Sequence, residues 1–217
     1  MDWFHFSFLL NVVSPAFALL CCLRIRRPRH AFFTALLPLL WVDLLAEVYG
    51  THTALQGLRN TTFYNGVSVL EFLLILRLLA THRRGSRWSF TITAFAGLLG
   101  WYWSWTRWRS LDFLLTEGIS IAGLLITLWA LVLLWWLSEE SSTPLAKVPQ
   151  FWVLTALLVF YGSLFPIIGP LRMLYEDSPQ LANYLYNIVN VLSCVSYGLI
   201  GYGCILEERA QRRPLKG

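Results

Sequence analysis

The residues able to do chemistry in this 217-residue chain are embedded in apolar sequence. Asp43 and Glu47 stand four apart, so on a helix they share one face. Glu71 lies alone in a leucine-rich run, six residues after the pair Tyr64-Asn65; Asn187 and Asn190 follow Tyr186 at helical spacing. Asp112 and Glu117 open a further apolar stretch. A carboxylate in hydrocarbon is costly unless it faces protein, water or a partner, so one polar cavity, open to the outside and lined by the first, second, third, fifth and seventh helices, is the economical arrangement expected for all of them. Its expected chemistry is binding of a small polar or cationic ligand. Glu71 would be the central group, Asn65, Asn187 and Asn190 the orienting hydrogen-bond groups with Tyr64 and Tyr186 beside them, and Asp43, Glu47, Asp112 and Glu117 an acidic vestibule.

Other chemistries lack their residues. A retinal Schiff base needs a lysine in the last helix, but the two lysines are Lys147 and Lys216, in a predicted loop and tail. No GxSxG nucleophile motif occurs, and His5, His30, His52 and His82 are predicted to divide between the two membrane faces, which leaves no converging set for a hydrolytic metal. Cys21, Cys22, Cys194 and Cys204 lie in apolar helices and read as packing residues. No catalytic residue, metal site or cofactor is expected.

The elements that must position these residues are membrane helices. The composition is 57% apolar and 13% charged, where a soluble domain carries about 25% charge. Seven apolar stretches can be drawn: Phe4–Leu23, Ala31–Tyr49, Thr62–Ala80, Ser89–Trp105, Leu111–Leu137, Phe151–Leu171 and Asn183–Leu206. Most reach the ~17–25 residues a spanning helix requires, and together they take 147 of 217 residues. The fold class predicted is all-α, a polytopic integral membrane protein with seven transmembrane helices: one domain over 1–206, then a short basic cytoplasmic tail, 207–217. The first segment lacks a basic start and a small-residue cleavage site, so it is expected to be retained.

Charge sets the orientation. Twelve of the 17 Lys and Arg residues fall in the loops after helices one, three and five and in the tail, which the positive-inside rule makes cytoplasmic. The N-terminus is then outside and the C-terminus inside, with nearly every intramembrane polar residue in the outer half. Contact with anionic membrane lipids accounts for the net charge of +5 and leaves nucleic acid no role. Trp101, Trp103, Trp105 and Trp108, and on the other side Trp135, Trp136 and Trp152, are placed as interfacial belts. Pro166 and Pro170 are expected to break or kink the end of helix six.

Residues 63–70 (FYNGVSVL) align with 185–192 (LYNIVNVL), an offset of 122 that also lays helix two on helix six. Two three-helix repeats around a linker helix would give this pattern. Three stretches also carry a family resemblance: Val42 to Glu71, Pro149–Phe165, and Tyr186–Leu192. Together they resemble small, uncharacterised seven-helix membrane proteins of Bacteroidota, similar to sensor regions that precede some histidine kinases. The resemblance implies a sensor or accessory module in a bacterial cytoplasmic membrane. With eleven residues after helix seven, a separate signalling protein is the expected output partner, with Arg24 to His30 and Arg209, Arg212 and Arg213 as docking candidates. A second, architectural resemblance is to the SWEET sugar facilitators, whose three-one-three helices and pocket asparagines Asn65 and Asn187 could match. Helix five lacks the proline which that pattern requires.

Overall fold

The computed structural model describes residues 3–82, 84–109, 111 and 113–212, without the side chains of 3–9, 87, 170–173, 175, 176, 179, 183 and 186. Seven α-helices form: α1 (Trp3–Leu23), α2 (Ala31–Leu55), α3 (Thr61–Leu79), α4 (Arg87–Trp108), α5 (Thr116–Glu140), α6 (Pro149–Asp177) and α7 (Pro179–Arg212), with a 3-10 turn, Leu145–Lys147, before α6. Spans within α2, α3, α5, α6 and α7 are long and apolar enough to cross a bilayer. The described apolar part of α1, Leu10–Leu23, is shorter. α4 has the length, 22 residues, but Ser, Thr, Gly, Arg and indole groups dilute its apolarity. Outside the bundle, Leu20, Leu45, Ile92, Phe95 and Val191 are each more than half exposed, an apolar exterior that only lipid makes favourable. The chain is an all-helical, multi-spanning integral membrane protein.

Helix packing follows a ring. Neighbours are α1 with α2, α2 with α3, α3 with α5, α5 with α6, α6 with α7, and α7 with α1; α4 lies outside, against α5 and α3. Substituting α5, α6 and α7 for α1, α2 and α3 returns the same circular order, as two three-helix units related by a two-fold along the bundle axis would require. Close approach depends on small residues. A Cβ on Gly203 of α7 would lie 2.8 Å from the Pro149 carbonyl oxygen of α6, and Ser196 of α7 donates to the Ala156 carbonyl of α6 at 3.2 Å, the small-residue and hydroxyl contacts by which membrane helices associate.

Loop contacts define two ends. At the basic end Arg84 pairs with Glu139 and Glu140, both at 2.7 Å, and the Arg26 amide donates to Gln211 at 3.0 Å. Burial holds the nearby His82 imidazole below its ordinary range, against the opposing pull of Glu140. At the other end Asn60 donates to the Gly50 carbonyl, and Thr62 to that of Leu111, each at 3.3 Å.

Several boundaries differ from the sequence reading. α2 continues six residues beyond Tyr49 to Leu55, which makes Asp43 the middle residue of a 25-residue helix rather than one near its end. α5 starts at Thr116, not Leu111. α6 runs unbroken past Pro166 and Pro170 to Asp177, because the two freed carbonyls do not prevent the remaining hydrogen bonds from carrying the helix. α7 extends to Arg212, so 207–212 is helix, with Glu208 paired to Arg212. Trp101 is 5% exposed and belongs to the interior, not to an interfacial belt.

Candidate functional site

Inside the ring is a cavity of about 160 Å³. α2 contributes Leu39, Asp43 and Glu47, a stripe at four-residue spacing; α3 contributes Tyr64, Glu71 and Ile75. From α6 come Phe160 and Tyr161, and from α7 Ser193, Ser196 and Tyr197. Tyr64 to Ile75 is about 16 Å along a helix at 1.5 Å per residue, so the cavity is elongated. It reaches within one turn of the end that carries the α2–α3 connection.

The chemistry of the wall is one-sided. Three carboxyl groups, three phenols and two serine hydroxyls line it, and among the described residues no Lys, Arg or His side chain does. Asp43 is 7% exposed, and its Oδ1 is buried without a hydrogen-bond partner. The same carboxyl lies beside the Tyr197 hydroxyl and the Glu71 carboxyl. Glu47 and Glu71 are half-buried, facing the cavity. The Tyr64 ring reaches α2 through Gly50, where a Cβ would collide with its hydroxyl. Hydroxyl and carboxyl groups of this kind can donate or accept; Ser196 donates to the Ala156 carbonyl.

No protein-family model, curated protein or solved structure matches the chain.

Of the residues singled out by sequence, the structure brings Asp43, Glu47, Tyr64 and Glu71 together in this cavity. They do not form a vestibule above Glu71; Asp43 and Glu71 are both at mid-helix. Asn65 lies elsewhere. It is buried, its Nδ2 donates to the Phe113 carbonyl at 3.1 Å and its Oδ1 accepts the Leu115 amide at 2.9 Å, so it holds the entry to α5. Glu117 is likewise engaged at the α4–α5 corner, accepting from Ser104 and Trp108 at 2.7 Å each with Arg107 at 3.8 Å. Asn187 and Asn190 are half-buried on α7 and are not among the lining residues. Asp112 and the Tyr186 side chain lie outside the described residues.

The sequence reading missed Tyr161, Ser193, Ser196 and Tyr197. A signal was present: 193, 196, 197 and 200 follow the i, i+3, i+4, i+7 spacing of one helix face. The offset of 122 also pairs lining residues with lining residues, Leu39 with Tyr161, Glu71 with Ser193, and Ile75 with Tyr197.

Proposed function

We propose that the chain is a receptor-like or accessory membrane module of seven spans, N-terminus outside, whose central cavity binds a small organic cation. The observation that carries this reading is the buried, unpartnered Oδ1 of Asp43 in a cavity with two further carboxyl groups and, among the described residues, no basic one. When ionised, these carboxyl groups repel an anion and call for a counter-charge. The cation is organic because the aromatic faces of Tyr64, Phe160, Tyr161 and Tyr197 suit an ammonium group, whereas among the described residues no three His, Cys, Asp or Glu side chains are grouped to ligate a metal ion. Size limits the ligand: about 160 Å³ is close to the ~150 Å³ that holds benzene. The same reading takes a bacterial cytoplasmic membrane as the location and rests on the resemblance to Bacteroidota sensor regions only as an expectation.

The test is calorimetric titration of the protein in lipid nanodiscs with n-butylammonium. Asp43→Asn and Glu71→Gln should each weaken binding by about 10- to 100-fold, the worth of a charge-assisted contact. Unchanged affinity in both variants would overturn the assignment.

A second reading, a SWEET-like facilitator, is favoured by one observation: the ring keeps its circular order when α5, α6 and α7 replace α1, α2 and α3, and the 122-residue sequence offset pairs three lining residues with three others. Two such halves can rock about a shared site. A facilitator accelerates equilibration of the bound amine across proteoliposomes, and a receptor-like module binds without flux.

A further inference from the structure

A second cavity, of about 120 Å³, adjoins the first, and Glu71, Phe160 and Tyr161 line both. Beyond that shared wall it is mostly apolar, lined by residues that include Phe72, Ile119 and Trp101. Its polar groups are few. Ser68 already donates to the Tyr64 carbonyl at 2.8 Å, while the Nε1 of Trp101 is buried without a hydrogen-bond partner, on a side chain 5% exposed.

Trp101 is held in place from two sides. Its ring packs 5.4 Å from that of Phe72 on α3, and its Cγ and Cδ1 approach α5 so closely that a Cβ on Gly118 would lie 2.8 Å from each. An indole N–H donates and cannot accept. Leaving it unmade in an apolar interior carries a free-energy cost, which a ligand oxygen would relieve.

We propose that the two cavities form one bipartite site for an amine that carries a hydrogen-bond acceptor, an ether, carbonyl or hydroxyl oxygen, on a short apolar tail. The ammonium group sits among Asp43, Glu47 and Glu71; the tail passes Glu71 and Tyr161, and its oxygen accepts from Trp101 Nε1. At about 30 Å³ per water-sized group, the second cavity admits a tail of about four heavy atoms. This inference rests on the cation-binding reading of the first cavity.

The experiment uses isosteric probe pairs on the full chain in nanodiscs: pentylamine against 3-methoxypropylamine, hexylamine against 4-methoxybutylamine, and heptylamine against 5-methoxypentylamine, each differing by CH₂ for oxygen. One methoxyamine should bind about five- to tenfold tighter than its alkyl partner, and Trp101→Phe should erase that preference, bringing the two members of the pair to the same affinity. Because Trp101→Phe can disturb packing, Ala122→Leu, which fills the second cavity, gives an independent readout: methylammonium binding is retained and the hexyl-length probes are lost. Amines that bind with no ether preference, or with one that survives Trp101→Phe, or long probes that survive Ala122→Leu, overturn the bipartite site and leave the cation site standing. Failure of every amine to bind overturns both.

Discussion

At the scale of single residues, the polar side chains inside the bundle divide into two kinds. Asp43, Glu47 and Glu71 face a cavity, and one oxygen of Asp43 lacks a partner; Asn65 and Glu117 are saturated by protein groups. The division predicts opposite phenotypes. Asn65→Ala leaves the Phe113 carbonyl and the Leu115 amide without their partner, so unfolding in detergent should lose about 1–3 kcal/mol while butylammonium affinity changes less than twofold. A large loss of affinity with stability intact would return Asn65 to the binding site. The carboxyl groups were legible in the sequence because a charged residue in hydrocarbon demands a reason. The role of Asn65 was not, because an asparagine that clamps a loop and one that faces a ligand read alike until the loop is placed. Tyr161 and Tyr197 were overlooked for a related reason: a tyrosine in an apolar helix is unremarkable, and only the register of packing turns its hydroxyl inward.

At the scale of elements, helix length decided more than helix number. All seven apolar stretches correspond to helices, but the extension of α2 to Leu55 carries Asp43 from a predicted vestibule to the middle of the bundle, since Thr51 to Leu55 are too polar to be counted as span yet continue the hydrogen-bond ladder. The prolines of α6 do not end the helix, which continues to Asp177. Interhelical contact is the other element-scale determinant, and it is tightest where α7 crosses the start of α6. Gly203→Ala puts a methyl group 2.8 Å from the Pro149 carbonyl oxygen, backbone that cannot rotate away, so the helices must separate. We expect a loss of about 1–3 kcal/mol in thermal unfolding followed by near-ultraviolet circular dichroism. Wild-type stability would mean that α6 and α7 are not in contact there.

At the scale of the whole molecule, a ring of six helices with α4 outside explains how polar groups persist in an apolar chain: the ring encloses Asp43, Glu47 and Glu71 and turns a largely Leu, Ile, Val and aromatic surface to lipid. That α4 is peripheral could not be read from sequence, where its length and tryptophans resemble those of any span. The orientation proposed from the basic loops has its own check. Single cysteines at Gln56 and Gln180, in a background without the four native ones, should react with an impermeant thiol reagent applied outside intact cells, and one at Ser86 should not; the reverse pattern inverts the topology. The most direct test of the central claim is a comparison of n-butylammonium with n-butanol, nearly equal in shape and different in charge, by calorimetric titration of the nanodisc-embedded protein. A cation site predicts at least about tenfold tighter binding of the ammonium, as a charged contact in a buried site requires; equal affinity for the two, or tighter binding of the alcohol, would contradict it.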